Sequence, residues 1–103
     1  MNSPALDVNA GVQKLERCAS VLKAIAHPVR IAIIELLEKH EKLSVSEIHE
    51  QLDLEQAVAS HHLGILKNKG VLVSYRDGKN MLYELRHRQI TRIIEIMERC
   101  STV

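Results

Sequence analysis

The sequence predicts a mainly α-helical domain that carries one β-hairpin, and three observations support this fold class. Apolar residues recur at helical spacing along most of the 103 residues. Aromatic residues make up only 2% of the chain, so aliphatic side chains must fill the core, as they do in packed helices. Finally, Asp77-Gly78 separates two stretches in which apolar and polar residues alternate, which is a strong signal for a hairpin.

Length and composition indicate one domain with a modest core. No apolar stretch approaches the roughly 20 residues that span a bilayer, and the N-terminus lacks the pattern of a signal peptide. We therefore expect a cytoplasmic protein with no membrane partner. Residues 1–10 are polar and irregular, which predicts a flexible N-terminal tail, and residues 11–103 are expected to form the folded domain.

Two helices are expected first. Residues 11–26 have an apolar stripe that includes Cys18, which is typical of an amphipathic helix. His27 is placed to cap a second helix, and Pro28 suits its first position. This second helix should run to Lys39, and it is apolar nearly all round, so we expect it to be buried at the centre of the domain.

Residues 43–70 predict two short helices joined by a tight turn. Ser44 and Glu47 fit a capping box at the start of the first helix. The connection from Leu52 to Glu55 has the length found in helix-turn-helix motifs. The second helix, Gln56 to Asn68, has two faces at about 100° per residue. Its expected core face consists of Val58, Ala59, His62, Leu63, Ile65 and Leu66.

The opposite face of this second helix is polar and made of short or hydrogen-bonding side chains. Its members are Gln56, Ala57, Ser60, His61, Gly64, Lys67 and Asn68. Such a face fits the major groove of DNA. An ordinary helical hairpin has the same pattern, so this stretch alone leaves DNA binding and simple packing equally open.

A hairpin follows directly, after Gly70, which is placed to end the preceding helix. Its two strands flank Asp77-Gly78, for which we expect a type I′ turn, and Arg76 and Lys79 lie beside the tip. Residues 67–92 contain seven basic and two acidic side chains, although the net charge of the chain is only +1. A basic hairpin after a polar helix predicts a winged helix-turn-helix, with the wing against DNA phosphates.

The last segment, His87 to Cys100, again has an apolar stripe at helical spacing. A domain of this size is not expected to bury this stripe and that of the first helix together. The sequence therefore predicts five helices and a homodimer formed through the first and last of them. Such a dimer would offer two DNA-reading helices to half-sites about 34–36 Å apart.

These residues resemble the ArsR/SmtB family of small winged-helix repressors. The resemblance covers Leu22 to Leu85, on the segments LKAIAHPVRIAIIELL and LSVSEIHEQLDLEQAVASHHLGILKNKGVLVSYRDGKNMLYEL. It implies a homodimeric repressor that leaves its double-stranded operator DNA when an inducer binds. The predicted DNA-binding residues are Ser44, Gln56, Ala57, Ser60, His61, Lys67, Arg76 and Lys79.

The resemblance leaves the inducer open between reactive sulfur species, an oxidant and a metal ion. One metal site of the family uses a Cys-x-Cys motif on the helix before the DNA-reading helix. In this chain the corresponding residues 43–47 contain no thiol. The other site would correspond to Leu85, His87, Glu98 and Ser101, of which only two can bind, whereas structural zinc sites use four ligands. We therefore predict no metal site and no cofactor, although a metal-sensing repressor stays an alternative.

Thiol chemistry at Cys18 and Cys100 is the favoured response. Cys100 resembles the C-terminal thiol of redox- and sulfide-responsive members of the family. Those members have their other cysteine on the second helix, where this chain has Glu35. The competing interpretation is that both cysteines are small buried hydrophobic residues.

Catalysis has little support, because the sequence contains no Gly-rich phosphate loop, nucleophile elbow or pair of catalytic carboxylates. We therefore predict that the protein is not an enzyme. The remaining competitor is a winged helix that serves only as a protein-interaction module. Such a module would lack the steep salt dependence that phosphate neutralisation causes.

Overall fold

The computed structural model describes residues 8–101, which form five α-helices and three β-strands. In chain order they are α1 (Val8–Ile25), α2 (Pro28–Lys39), β1 (Leu43–Ser44), α3 (Val45–Gln51), α4 (Gln56–Asn68), β2 (Leu72–Asp77), β3 (Asn80–Leu85) and α5 (Thr91–Ser101). A 3₁₀ turn, Arg88–Ile90, leads into α5. The predicted fold class is confirmed. Residues 1–7 of the expected tail lie outside the described residues, and α1 begins at Val8 rather than at residue 11.

α2 is the buried central helix that the sequence predicts. The side chains of Ile33, Ile34 and Leu37 are completely buried. The helix also begins as expected, because Nδ1 of His27 accepts a hydrogen bond from the backbone N–H of Val29 at 3.1 Å. That bond satisfies one of the N–H groups that a helix start leaves without a partner.

The far end of α2 is stabilised by a residue from the basic segment. The Arg88 guanidinium donates to the carbonyls of Glu38 at 2.7 Å and Leu37 at 3.3 Å. These carbonyls lie in the last turn of the helix, where the dipole favours a cation. Arg88 is therefore a structural residue, and only part of the basic segment is left for phosphate contacts.

The three strands form one antiparallel sheet in the order β1-β3-β2. β2 and β3 make the predicted hairpin, with Leu72 opposite Leu85 and Asp77 opposite Asn80. β1 was not predicted, because its two residues are too few to show an alternating pattern; it pairs with β3 through Leu43 and Tyr83.

The hairpin turn differs from the prediction both in its position, by one residue, and in its turn type. Because Asp77 pairs with Asn80, the turn consists of Gly78 and Lys79. Gly78 has φ +64°, whereas Lys79 is not among the described residues with positive φ. Positive φ at the first central residue alone is the requirement of a type II′ turn, whereas type I′ needs it at both. Lys79 is therefore part of the turn itself, at the tip.

Two helices keep large apolar surfaces exposed. Among the described residues, six of the eight exposed large hydrophobic side chains lie on α1 and α5. They are Val12, Leu15, Leu22, Ile93, Ile96 and Met97. The radius of gyration is 16.2 Å, against about 13 Å for a compact domain of this length.

Over residues 8–101, no helix combines the length and hydropathy that crossing a membrane requires.

Candidate nucleic-acid interface

α4 separates a buried face from an exposed one, largely as predicted. Ala59, His62, Leu63 and Leu66 are buried, with exposed fractions between 0% and 8%. The side chains of the opposite face are exposed, namely Gln56, Ala57, Ser60, His61, Lys67 and Asn68. Three residues differ from the prediction: Val58, expected in the core, is 38% exposed, and Gly64 and Ile65 are half-buried. The exposed polar face of α4 is therefore not covered by other described parts of the chain.

The orientation of α4 is fixed by its neighbours and by its end. It packs against α3, α2 and β2. At its C-terminus the N–H of Val71 donates to the carbonyl of Leu66, and the N–H of Gly70 donates to that of Lys67, both at 3.0 Å. With Gly70 at φ +77°, these two bonds form a Schellman motif, as the predicted role of Gly70 requires. The chain therefore turns from α4 directly into the wing, residues 72–85.

The wing offers exposed cations at its tip. Arg76 precedes the end of β2 and Lys79 lies in the turn, and both are exposed. A third cation lies nearer the base of the wing, where Nζ of Lys42 is 5.8 Å from the centroid of the Tyr75 ring. A hydrogen bond with Tyr75 is the main cause that raises the pKa of Lys42. Lys42 was not predicted as part of this surface, because the pairing of β1 that brings it to the wing has no local signal in the sequence.

Ser44 has to be removed from the predicted DNA-binding set. Its side chain is 7% exposed, and its Oγ accepts a hydrogen bond from the N–H of Glu47 at 3.1 Å. In return, Oε1 of Glu47 accepts a bond from the N–H of Ser44 at 2.9 Å. The capping box is therefore confirmed, and it occupies the hydroxyl that was assigned to DNA.

The buried face of α4 contains one polar side chain, His62. The prediction that His62 lies on the core face is confirmed, and Nδ1 of His62 accepts a hydrogen bond from Nε of Arg30 at 3.2 Å. The rings of His27 and His61 lie nearby, with centroids 4.5 Å and 5.2 Å from that of His62. Burial lowers the pKa of His62, and the nearby His27, Arg30 and His61 lower it further. The contacts of His62 with Arg30 and His27 were not predicted, because both residues lie more than 30 positions from His62 in the sequence.

The two cysteines are free thiols with exposed side chains. Cys18 lies on α1 and Cys100 on α5. The interpretation of these cysteines as buried hydrophobic residues is therefore wrong for the single chain. Both lie on helices that carry the exposed apolar side chains.

The residues aligned with the second family metal site do not form a ligand set. Leu85 is buried in the core, and Oγ of Ser101 donates to the carbonyl of Glu98 at 2.8 Å. Within residues 8–101 of one chain, no group of three or more His, Cys, Asp and Glu side chains could hold a metal ion. A single subunit therefore supplies no metal site in the part that the structure describes.

Comparison with known sequences identifies a motif and several regulators. A family model described as "Helix-turn-helix domain" matches residues 25–74. The transcriptional repressor PagR of Bacillus anthracis is 36% identical over 83 residues, which are 81% of this chain and 83% of PagR. The biofilm growth-associated repressor of Agrobacterium fabrum is 34% identical over 79 residues, which are 77% of this chain and 67% of that repressor.

Solved structures agree with these matches. The crystal structure of PagR superposes with a TM-score of 0.74 at 35% identity, covering 84% of this chain and 98% of PagR. A homodimeric winged helix-turn-helix DNA-binding domain from Mycobacterium bovis, described as a possible ArsR-family transcriptional regulator, gives a TM-score of 0.76 at 25% identity, covering 92% of this chain and 85% of that domain. Reduced HlyU from Vibrio cholerae gives a TM-score of 0.74 at 26% identity, covering 91% of this chain and 98% of HlyU. Two of these three proteins are described as a transcriptional repressor or a DNA-binding domain.

Proposed function

The chain belongs to the ArsR/SmtB family of helix-turn-helix transcriptional repressors, and we propose that it acts on a double-stranded operator as a homodimer. It is a transcriptional regulator rather than an enzyme. The observation that carries the proposal is the exposed polar face of α4 beside an exposed basic wing. A helix in the major groove reads base edges, whereas cations on a neighbouring element bind the backbone.

In this proposal, the first two turns of α4 read bases. Gln56 can form a bidentate pair with adenine, and Ser60 can bond to several bases. Ala57 is small enough to let the helix approach, and its methyl group can contact that of thymine. His61 lies on the same exposed face.

Lys67, Arg76 and Lys79 neutralise phosphates in the same proposal. All three are exposed, and they come from the end of α4 and from the tip of the wing. Contacts of this kind position the protein on the duplex and carry no direct sequence information. They also release counterions, which makes the affinity depend steeply on salt.

The exposed apolar side chains of α1 and α5 support the homodimer. An apolar groove of about 600 Å³ lies between the two helices, and Leu22, Ile93 and Met97 are among the residues that line it. Monomers rarely leave such apolar patches open to solvent. A two-fold dimer would cover the patch on both subunits at once and would place two copies of α4 against paired half-sites.

The salt dependence of DNA binding tests the proposed function. The probe is a fluorescent duplex that the protein itself selects from a random-sequence pool. We expect Lys79→Gln to weaken binding to every duplex and to reduce the salt slope by about 0.9 per phosphate contact, or about 1.8 for a dimer. The matched control is Lys14→Gln on α1, which should leave the slope unchanged.

Base preference supplies the second half of that test. Gln56→Ala should relax the sequences recovered in a repeated selection, while the salt slope stays as in the wild type. If the protein selects no duplex, or if Lys79→Gln keeps the full salt slope, DNA binding through this surface is refuted and the protein-interaction module becomes the better explanation.

Release from DNA through thiol chemistry is the finer part of the proposal. Cys18 and Cys100 are exposed free thiols on the two helices that carry the proposed dimer surface. A bond between them, within one subunit or between two, would alter the relative positions of α1 and α5. With hydrogen peroxide, two thiols lose two hydrogens to form a disulfide while the peroxide is reduced to two waters. A metal-sensing repressor stays the alternative, with ligands drawn from both subunits.

A further inference from the structure

Beneath α4, the proposed DNA-reading helix, the guanidinium of Arg30 joins three helices. Arg30 belongs to α2, and its Nη1 donates to the carbonyl of Ala24 at 3.0 Å, in the last turn of α1. Its Nε donates to Nδ1 of His62 on α4 at 3.2 Å. Arg30 therefore connects the proposed DNA-reading helix to the helix that carries part of the proposed dimer surface.

The bond between Arg30 and His62 requires a neutral imidazole. An arginine side chain only donates hydrogen bonds, so Nδ1 of His62 must be free of a proton to accept. When the ring takes up a proton, both of its nitrogens become donors, and the acceptor is lost. An N–H group and a positive charge would then face the guanidinium at the same short distance.

Among the described residues, each charged or titratable group that shifts the pKa of His62 lowers it. The titratable groups that face it are His27 at the junction of α1 and α2, Arg30 on α2 and His61 on α4 itself. None of these groups is a carboxylate. The side chain is also only 8% exposed, so its burial disfavours the charged form of the ring.

We propose that His62 is a positioning residue whose protonation breaks the link to Arg30, lets α4 shift against α1 and α2, and thereby weakens DNA binding. The inference rests on the proposed function, since it concerns the same DNA-reading helix. Neutral His62 holds Gln56, Ser60 and His61 at the position that fits the groove. Acidification below the ordinary pKa range of histidine then acts as a release signal that needs neither a metal nor a thiol.

The test compares a buried with an exposed histidine. His62→Asn keeps an acceptor at the δ position and cannot become charged, whereas His40→Asn changes an exposed histidine at the end of α2, outside the proposed DNA-binding face. Affinity for the selected duplex is measured by fluorescence anisotropy at about pH 8 and at about pH 5.5, at constant salt. We expect wild type and His40→Asn to lose at least about fivefold in affinity on acidification, the lower end of the usual range for coupled sites. The affinity of His62→Asn should fall by less than twofold, which corresponds to a change in binding free energy of less than about RT.

A second variant keeps the proposal falsifiable if His62→Asn fails to fold. Arg30→Gln removes the guanidinium, so it should bind more weakly at about pH 8 and respond less to acid, while sedimentation still finds the wild-type oligomer. Equal acid responses in wild type and His62→Asn, or a full acid response in Arg30→Gln, would overturn the inference and leave the proposed function intact. Failure of the wild type to bind any duplex at either pH would overturn both.

Discussion

His49 and Leu54 hold the helix-turn-helix turn together through two hydrogen bonds that run in opposite directions. The N–H of Leu54 donates to the carbonyl of His49 at 2.9 Å, and Nδ1 of His49 donates to the carbonyl of Leu54 at 3.2 Å. Since a carbonyl can only accept, Nδ1 carries the proton. The N–H of Asp53 donates to the carbonyl of Glu50 at 3.2 Å, which completes a Schellman motif at the end of α3. His49 therefore helps to fix the angle at which α4 leaves α3.

Asp53→Gly is expected to stabilise the protein. Asp53 has φ +53°, a conformation that glycine adopts without steric cost and that costs other residues about 1 kcal/mol. The gain should be below about 1 kcal/mol, because glycine also makes the unfolded chain more flexible. Urea unfolding at fixed protein concentration measures the change. Asp53→Ala is the control and should be destabilised, so an Asp53→Gly variant less stable than Asp53→Ala would contradict the prediction.

Ser44→Ala should lower stability without changing the salt slope of DNA binding. The substitution removes the hydroxyl that caps α3, and the loss of such a cap typically costs about 1 kcal/mol. Ser46→Ala is the matched control, because Ser46 is exposed and lies two residues along the chain, where surface substitutions change stability by less than about 0.5 kcal/mol. Urea unfolding and anisotropy titrations across a salt series supply the two readouts. A reduced salt slope in Ser44→Ala alone would return Ser44 to the DNA-binding set.

Features that depend on local chemistry could be predicted from the sequence. The capping box of α3, the start of α2 at Pro28 and the end of α4 at Gly70 each involve residues a few positions apart. The polar face of α4 also followed from the helical repeat alone. In these cases the chain neighbours supply nearly all the partners.

Features that depend on distant partners were missed. Arg88 caps α2 from 50 residues away, and Arg30 reaches His62 across 32 positions, so no local pattern indicates either bond.

Val58 was placed in the core because an apolar residue at the edge of a stripe can belong to either face. The exposed stripes of α1 and α5 were predicted for a dimer, since a single chain of this length cannot cover both.

Glu35→Gln should stabilise the protein at neutral pH. Burial raises the pKa of Glu35 above 4.5, and a hydrogen bond with Glu98 and the charge of Glu98 raise it further, whereas Lys39 lowers it. When a carboxyl group has a higher pKa in the folded than in the unfolded protein, it contributes stability that is fully present below about pH 4.5. This contribution is lost as the pH rises through the pKa of the folded state. Removing the charge should therefore raise the melting temperature at about pH 7 by about one or two degrees, since exposed pairs interact weakly.

The control for Glu35→Gln is Glu38→Gln on the same helix. Glu38 is exposed and contributes the smallest of the effects on Glu35, so its variant should shift the melting temperature less. Both differences should shrink when the melting curves are repeated near pH 4.5, because a pKa above 4.5 leaves more than half of wild-type Glu35 protonated there. A stabilisation of Glu35→Gln that is as large at pH 4.5 as at pH 7 would show that ionisation is not its cause.

Peroxide should lower the DNA affinity of the wild type by about tenfold or more, within the usual range for coupled sites, and Cys100→Ser should remove this response. The exposed thiols of Cys18 and Cys100 lie on the two helices of the proposed dimer surface, so a bond between them would change how the two copies of α4 are spaced. Mass spectrometry should detect a loss of about 2 Da for each disulfide, and reduction should restore binding. A polysulfide bridge would add about 32 Da for each inserted sulfur to the mass of the disulfide form. Unchanged release of Cys100→Ser would rule out the thiol response, and release by zinc without oxidation would favour the metal-sensing alternative.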